Sequence, residues 1–514
     1  MRTARRISQV FFLLSFLWLV WRTTYPYDSL IPADLFLRAS ALVAVTTILT
    51  SRSLVPQVLL GLLVLALTVP LGRAFCGWVC PLGTTLEVVR KVSSSKRKAP
   101  RKTPSTRWRW GKFAILVGIL VSAVLGTQLL WPFDPVVLLT RTASVALYPL
   151  FTAAVSGLLG LVARVPFLEG AAYRGYALLY SAWFPLKQPP FHLVELFFVL
   201  LVLILALEKA SRRFWCRNLC PLGALLGFFS QFRVLHREVD ENCSACGLCK
   251  ARCRMNAVED DYVTTSAVEC IACGECVSVC APRATHYALR KPVRSGTVDL
   301  DRRRFIGATV AGVATVGLLG VGFVDRGRRA SVIRPPGALP EADFLDRCIR
   351  CQECVKVCSS TGGCLQPSLW ESGLVGLWTP VARPREGYCE YNCNLCGQVC
   401  PTGAIHRLPL EVKQLTKIGL AFFDKSRCIP WYRGEDCLVC EEHCPVPDKA
   451  IRFDEHTVRR PDGSEALVKL PYVVEELCIG CGICVTKCPV VGQGGIFLTS
   501  ANEQRWPGSE SLSQ

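Results

Sequence analysis

The spacing of the cysteine residues constrains this chain more than any other feature. Of its 514 residues 29 are cysteines, and most of them fall into six runs of four. Four runs follow the spacing C-x2-C-x2-C-x3-C, and two lengthen the first gap. The runs are Cys243, Cys246, Cys249 and Cys253; Cys270, Cys273, Cys276 and Cys280; Cys348, Cys351, Cys354 and Cys358; Cys389, Cys393, Cys396 and Cys400; Cys428, Cys437, Cys440 and Cys444; and Cys478, Cys481, Cys484 and Cys488.

Iron–sulfur ligation accounts for this spacing. In bacterial ferredoxins the same spacing places thiolates on cubane 4Fe–4S clusters. Neighbours in C-x2-C are too close to form comfortable disulfides, and zinc ribbons use pairs rather than triplets. Proline follows the last cysteine at Pro401, Pro445 and Pro489, and no C-x-x-C-H sequence for c-type haem is present. The sequence therefore predicts six 4Fe–4S clusters and an electron-transfer protein rather than a stand-alone enzyme.

The ligands of each cluster are expected to come from two runs. In two-cluster ferredoxins, the first three cysteines of a run hold one cluster and the fourth reaches the other. For the first two runs this predicts two ligand sets: Cys243, Cys246, Cys249 with Cys280, and Cys270, Cys273, Cys276 with Cys253.

Composition places part of the chain in a membrane. Only 19% of residues are charged and the mean hydropathy is +0.33, yet the net charge is +19. We interpret the positive excess as cytoplasmic flanks of membrane helices, and we expect no nucleic-acid partner. The predicted membrane domain covers 1–237. Its spans are placed near 8–21, 54–72, 113–131 and 191–207, while the apolar segments 35–49 and 143–163 are expected to lie at the interface.

Four further cysteines stand in two similar boxes of the membrane domain. FCGWVCPLG contains Cys76 and Cys80, and WCRNLCPLG contains Cys216 and Cys220. Each box closes one half of an internal repeat that begins with a P-x-D segment. Four thiols are what one cubane needs, so a seventh cluster is one interpretation. A pair of redox-active or structural cysteines is the other.

Two soluble segments follow the membrane domain. Residues 238–290 hold the first two runs and are expected in the cytoplasm, and 340–500 hold the other four. Between them, 300–325 resembles a twin-arginine signal anchor, which would export the last segment to the periplasm. The alternative is an anchor that keeps it inside. The expected fold class is multi-domain: an α-helical, multi-pass membrane domain plus two bacterial-ferredoxin-like α+β iron–sulfur domains.

Two ionisable residues are candidates for the site where electrons enter the chain. His192 and Glu195 lie one helical turn apart at the outer end of a predicted span. Ionisable groups in such a place are candidates for accepting protons from a quinol. Interfacial anchoring and local pairing are the alternative.

The chain resembles two families of ferredoxin-type proteins in sequence. Residues 1–290, with FCGWVCPLG, WCRNLCPLG and the tandem runs, resemble the NapH type of membrane ferredoxin. Residues 300–500, with RRRF, YCEYNCNLCGQVCPTGAI and CIGCGICVTKCP, resemble the NapG and MauM types. The resemblance implies a fusion in the bacterial inner membrane that passes electrons from the quinone pool to a periplasmic redox enzyme or cytochrome. The membrane half also resembles NosR- and CcoG-like proteins, which implies the alternative of a maturation or regulatory role for a periplasmic metalloenzyme.

Resemblance to four-cluster ferredoxin subunits of molybdenum reductases implies a nested order for the last four runs, in which the first pairs with the last. Cys364 is left over, either as a buried thiol or as a ligand. The implied sets are Cys348, Cys351, Cys354 with Cys488; Cys478, Cys481, Cys484 with Cys358; Cys389, Cys393, Cys396 with Cys444; and Cys428, Cys437, Cys440 with Cys400.

Overall fold

The computed structural model describes residues 1–27, 31–93, 108–182, 191–290, 301–320, 332–459 and 464–506. The chain divides into two compact units. The first unit comprises Met1–Trp21, Ile31–Ala146 and Val194–Gly320, and the second comprises Arg22–Leu30, Leu147–Leu193 and Val321–Gln514. Asp28, in the first P-x-D segment, lies outside the described residues.

The first unit is mostly helical, with one antiparallel pair of strands, Leu235–Val239 and Thr285–Leu289. Its helices are Arg2–Arg22, Leu35–Arg38, Ala41–Ser51, Pro56–Val58, Leu59–Leu71, Ala74–Trp78, Pro81–Ser93, Trp110–Val124, Pro135–Thr142, Ala143–Leu147, Val194–Ala206, Leu207–Lys209, Phe214–Asn218, Pro221–Phe229, Ser230–Phe232, Leu248–Arg252, Glu275–Ser278 and Arg302–Gly320.

The second unit consists of short helices and three antiparallel strand pairs. The pairs are Leu365–Pro367 with Pro380–Ala382, Leu420–Phe423 with Ile496–Thr499, and Ile451–Arg459 with Glu465–Val473. The helices are Tyr148–Val162, Glu169–Ala182, Glu341–Arg347, Glu353–Ser359, Leu395–Gln398, Leu410–Leu415, Ile429–Arg433, Val439–Glu442 and Ile483–Lys487.

Paired backbone segments enclose the cysteine runs two at a time. The pair Leu235–Val239 and Thr285–Leu289 encloses the first two runs. An isolated antiparallel bridge between Ala338 and Ile405 encloses the third and fourth. The pair Leu420–Phe423 and Ile496–Thr499 encloses the last two. Each closed segment therefore brings two runs that are adjacent in sequence close together in space.

Two helices are long and apolar enough to cross a membrane in the described part of the chain, Arg2–Arg22 and Pro135–Val162. A third candidate is the pair Pro56–Leu71 and Ala74–Val92, which is bent by 97°. The helical run Pro135–Val162 includes most of 143–163. This segment was expected to lie at the interface, but the helix that contains it is long enough to cross the membrane.

The other predicted spans are shorter than their apolar stretches suggested. In 113–131 the helix is Trp110–Val124, which ends just before Gly126 with its φ of 79°. Its 15 residues reach about 22 Å, less than the hydrocarbon thickness of about 30 Å. In 191–207 the helix Val194–Ala206 has only 13 residues. The four spans predicted for the membrane domain and the anchor at 300–325 are therefore not all confirmed. Among the described residues, two or three helices are long and apolar enough to span a membrane.

A buried network of charges holds the first unit together. Glu269 accepts hydrogen bonds from Lys112 Nζ at 2.5 Å and from Arg73 Nη1 at 3.3 Å, and all three side chains are almost fully buried. Arg73 Nη1 also donates to the carbonyl of Val268 at 2.7 Å. Trp78 Nε1 donates to the carbonyl of Ala272 at 3.0 Å. The segment that carries the second cysteine run is thus bound to the helices of the same unit.

The second unit has a comparable anchor in Arg334, which is 1% exposed. Its guanidinium donates to Glu341 Oε1 at 2.5 Å, to Thr379 Oγ1 at 2.8 Å and to the carbonyl of Pro380 at 2.9 Å. It also lies over the ring of Phe344, 4.7 Å from the centroid.

Substitution of this anchor should destabilise the second unit. Arg334→Met leaves the partly buried Glu341 carboxylate with Arg505 Nη2 alone, at 3.4 Å, and removes the donor to Thr379 Oγ1 and to the carbonyl of Pro380, which typically costs about 2 kcal/mol. We expect a clear fall in the midpoint temperature at which the anaerobic protein loses its cluster absorbance. Arg427→Met is the matched control, because Arg427 is half exposed and its contacts, with Asp424 at 3.5 Å and Gln493 Oε1 at 2.5 Å, lie at the surface. Equal midpoints for the two variants would contradict the anchoring role.

Candidate iron–sulfur centres

The cysteine loops share one backbone conformation. In the four runs of regular spacing, the residues on both sides of the second cysteine have positive φ. Glycine fills only half of these positions, so the others hold conformations that cost side-chain-bearing residues energy. The residues are Ala245 and Gly247, Ala272 and Gly274, Arg350 and Gln352, and Gly480 and Gly482. Four separate loops with the same unfavourable geometry indicate a shared binding requirement.

A short helix begins directly after each loop. The helices Leu248–Arg252, Glu275–Ser278, Glu353–Ser359 and Ile483–Lys487 carry the third cysteine of their runs near their first turn. The fourth cysteine follows at or near the helix end, one turn or more away from the loop. It is therefore free to serve a second site, as three-plus-one ligation requires.

In the first unit, the structure brings Cys253 to the second run. Cys276 lies within electrostatic range of Cys253, Cys270 and Cys273, and Cys253 and Cys270 belong to one packed cluster. This is the predicted set of Cys270, Cys273, Cys276 and Cys253. Pairing of Cys280 with the loop of Cys243, Cys246 and Cys249 stays a prediction.

In the second unit, three cavities are each lined by the three leading cysteines of one run and the last cysteine of its sequence neighbour. They contain Cys348, Cys351, Cys354 and Cys400; Cys389, Cys393, Cys396 and Cys358; and Cys428, Cys437, Cys440 and Cys488. The remaining set follows the same rule, since Cys481 and Cys484 both lie within electrostatic range of Cys444 and Cys478, while Cys440, which is also within range of Cys484, lines the cavity of Cys428. Four thiols around one cavity fit the corners of a cubane.

This arrangement corrects the nested order implied by resemblance. Cys400 joins Cys348 rather than Cys428, and Cys488 joins Cys428 rather than Cys348. Cys358 likewise joins Cys389 rather than Cys478, and Cys444 joins the Cys478 run instead of the Cys389 run. The reason is the closure of the chain described above, which encloses adjacent runs. The rule used for the first two runs was therefore the better guide to the last four.

The two membrane boxes have the same local structure. Cys76 lies in the helix Ala74–Trp78 and Cys216 in the helix Phe214–Asn218. Cys80 and Cys220 then precede helices that start with proline, at Pro81 and Pro221. Proline suits the first position of a helix because its nitrogen needs no partner there. Each box thus presents two thiols on a turn between two helices.

The boxes meet inside the first unit. Cys220 lies within electrostatic range of Cys76, Cys80 and Cys216, and Cys80 lies within range of Cys76 and Cys216. Cys80 and Cys220 are 7% and 4% exposed. The four thiols, which one interpretation of the sequence assigns to a seventh cluster, therefore lie close together, with Cys80 and Cys220 buried and Cys76 and Cys216 partly buried.

Two buried arginines cross between the boxes in opposite directions. Arg73, three residues before Cys76, reaches the other box, where a Cβ on Gly223 would lie 2.6 Å from its Nη2. Arg213, three residues before Cys216, donates from Nη2 to the carbonyl of Gly83 at 3.3 Å and from Nη1 to that of Cys76 at 3.2 Å. This reciprocal exchange places a guanidinium beside the thiols of each box, and each guanidinium is also paired with a carboxylate, Arg73 with Glu269 and Arg213 with Glu87 at 2.6 Å.

Burial controls the protonation of the ferredoxin thiols. It raises the pKa of Cys276 and of Cys481 to about 12. It also raises the pKa of Cys393 to about 11. At neutral pH these thiols keep their protons unless a metal replaces them, so cluster insertion releases protons. Within the described ranges no group of three or more His, Cys, Asp or Glu side chains is arranged to hold a single metal ion.

The two quinol candidates belong to different units of the chain. His192 belongs to the second unit, where its Nε2 lies 2.8 Å from Glu386 Oε1 and 3.2 Å from Arg383 Nη1. Its backbone N–H donates to Gln366 Oε1 at 3.2 Å. Glu195 begins the helix Val194–Ala206 and is exposed. These contacts favour the structural alternative for His192.

Paired cysteine variants test the corrected ligand sets. Cys348→Ala and Cys400→Ala should each remove one cluster, about four iron atoms per chain, and the double variant should lose no more, because both cysteines serve one cluster. The control is Cys348→Ala combined with Cys488→Ala, which should lose about eight. Anaerobic iron analysis distinguishes the two orders, because nested pairing reverses these results.

Comparison with known proteins agrees with this chemistry. A family model described as a 4Fe-4S binding domain matches residues 56–100 and 191–239, which contain the two boxes, and a second with the same description matches 471–491. No solved structure matches the chain.

Several curated proteins are similar to part of the chain. The methylamine utilization ferredoxin-type protein MauM of Paracoccus denitrificans is 36% identical over 169 residues, 32% of this chain and 70% of that protein. MauM of Methylorubrum extorquens is 34% identical over 37% of this chain and 84% of its own length. The ferredoxin-type protein NapG of Escherichia coli is 35% identical over 202 residues, 38% of this chain and 84% of that protein. The chain therefore belongs to the family of 4Fe–4S ferredoxin-type proteins that includes MauM and NapG.

Proposed function

We propose that this chain is a membrane-bound polyferredoxin that relays electrons from quinol, through 4Fe–4S clusters, to a redox enzyme or cytochrome on the periplasmic side. The observation that carries the proposal is the convergence of cysteines from paired runs into separate four-thiol sites. Such sites hold one-electron carriers, and several in one chain make a relay rather than a catalyst. Membership of a ferredoxin-type family supports the same class of function.

The membrane boxes extend the relay with a seventh cluster. Cys76 and Cys216 pack against a core that contains Cys270, a ligand of the second cluster site. Box thiols and ferredoxin thiols are therefore neighbours within the first unit, and electrons could pass between them over a short distance. The crossed arginines Arg73 and Arg213 support an anionic cluster at the boxes, because thiolates and sulfides leave a cubane site with net negative charge.

The proposed direction of flow comes from the charge pattern and the signal-like segment. Basic flanks place the first ferredoxin module on the cytoplasmic side. The arginines Arg302, Arg303 and Arg304 begin the helix Arg302–Gly320, ahead of its apolar part, as in a twin-arginine anchor, which exports folded proteins. Export after folding suits this chain because cluster insertion and folding are coupled. The last four clusters would then face a periplasmic acceptor.

Quinol-dependent reduction tests the relay. Duroquinol added anaerobically to membranes that contain the full chain should bleach the cluster absorbance and produce the EPR signals of reduced clusters. Cys80→Ala combined with Cys220→Ala should abolish reduction by quinol while dithionite still reduces the remaining clusters. Val79→Ala, which changes the same box but keeps both thiols, is the control. Two results together would support a maturation role instead. The wild-type clusters would stay oxidised in the presence of quinol, and cells that lack the chain would lose only the cofactor of its partner enzyme.

Iron analysis tests the box site separately. Seven cubanes require about 28 iron atoms per chain, and six require about 24. Cys76→Ala, Cys216→Ala and their double variant should each lose the same four iron atoms, because both boxes contribute to one cluster. A wild-type value near 24 that does not fall in these variants would assign the box cysteines a structural or redox role.

A further inference from the structure

One cluster site of the second unit contains a fifth cysteine. The cavities of Cys348 and of Cys428 are each lined by four cysteines. The cavity of Cys389 is lined by five, because Cys364 joins Cys358, Cys389, Cys393 and Cys396 there. The ligand sets described above do not include Cys364, although its thiol lies next to one of the ligands.

The backbone holds Cys364 firmly against Cys358. The two Sγ atoms are 3.9 Å apart, and Cys364 is 4% exposed. Gly363, with a φ of 69°, turns the chain so that its N–H donates to the carbonyl of Cys358 at 2.9 Å. On the other side, the carbonyl of Cys364 accepts from the N–H of Arg383 at 2.8 Å.

Close backbone packing fixes the same segment to the loop that carries Cys389. The N–H of Tyr388 donates to the carbonyl of Gly362 at 3.0 Å. A Cβ on Gly362 would lie 1.9 Å from the carbonyl oxygen of Tyr388, so only glycine fits. The thiol of Cys364 is thus positioned by hydrogen bonds and contacts on both sides of it rather than by chance packing.

The ligand is Cys358 rather than Cys364. Cys358 is the last cysteine of a regular run, and in the other cavities this position is filled by Cys400 and Cys488, the last cysteines of their runs. A cubane has four corners, and Cys389, Cys393 and Cys396 occupy three. Cys364 therefore stands just outside the ligand set.

A buried thiol beside a ligand thiolate acts as a hydrogen-bond donor. A second thiolate next to an anionic cluster would be repelled, so Cys364 keeps its proton and directs it at Cys358 Sγ. Such a bond stabilises the reduced cluster more than the oxidised one, because reduction adds negative charge to the sulfurs. Hydrogen bonds to the sulfurs are among the factors that set cluster potentials.

We infer that Cys364 is a positioning residue that donates an S–H hydrogen bond to Cys358 and so raises the reduction potential of the cluster held by Cys358, Cys389, Cys393 and Cys396. This inference rests on the proposed cluster at that site. The hydroxyl of Thr361 also lies at this site, 4.0 Å from Cys393 Sγ, but it is closer to the carbonyl of Cys358, to which it donates at 3.3 Å. Because of its raised potential, this cluster attracts electrons from the other clusters of the second unit. That property suits the cluster that passes electrons to the acceptor.

An EPR-monitored redox titration of the full, anaerobically purified chain tests the inference. Cys364→Ala should leave the iron content unchanged and make the reduction of one cluster about tenfold less favourable, a fall of about 59 mV for a one-electron couple. Cys364→Ser, which keeps a hydroxyl donor, should show a smaller fall. Val468→Ala is the control for loss of buried volume, because Val468 is 2% exposed in the strand Glu465–Val473 and lines none of the three cysteine cavities.

Each other result overturns the inference in a recognisable way. Loss of about four iron atoms in Cys364→Ala would make Cys364 a ligand. Unchanged potentials in Cys364→Ala, with all iron retained, would make it a packing residue. Full iron content in Cys358→Ala would mean that Cys364 holds the cluster itself. Failure of the proposed relay is distinguishable, since it would appear as absent clusters or absent quinol reduction in the wild-type chain.

Discussion

Exchange of the fourth cysteine between neighbouring runs is the constraint on which this structure depends. A loop with three cysteines can wrap one side of a cubane, but the last corner must come from elsewhere. In the second unit Cys400 supplies it to the run of Cys348, and Cys358 supplies it to the run of Cys389. Neither loop can complete its site without the other. Strained residues such as Arg350 and Gln352 then persist because cluster binding stabilises the folded loops.

The membrane boxes apply the same constraint with a different geometry. Each half of the repeat supplies two thiols instead of three plus one, and each supplies an arginine that reaches the opposite half. Arg73 is neutralised by Glu269, which directly precedes Cys270. Arg73 thus links the box thiols to the adjacent ferredoxin module. Lys112, which also pairs with Glu269, and Trp78, which donates to the carbonyl of Ala272, further couple the folding of the helices to that of the module.

The cysteine chemistry could be predicted from the sequence because the spacing of the ligands along the chain does not depend on tertiary structure. The pairing of the runs and the ends of the helices could not be predicted, because they depend on how distant parts of the chain come together. The nested order was wrong because the Ala338–Ile405 bridge and the Leu420–Phe423 strand enclose adjacent runs. Apolar stretches overestimated the spans because composition does not show that a helix ends near Gly126. Lys112 directly precedes the predicted span 113–131, where a basic residue is expected in water, yet it is buried against Glu269, a partner that is distant in sequence.

The central claim is that the two ferredoxin parts of one chain serve opposite sides of a membrane. Protease accessibility in intact spheroplasts tests it most directly, with one tag after Gln514 and another inserted near Arg290. The account predicts that external protease removes the tag after Gln514 and leaves the tag near Arg290 intact until the cells are lysed. Protection of both tags until lysis would place all the clusters on one side and contradict the relay.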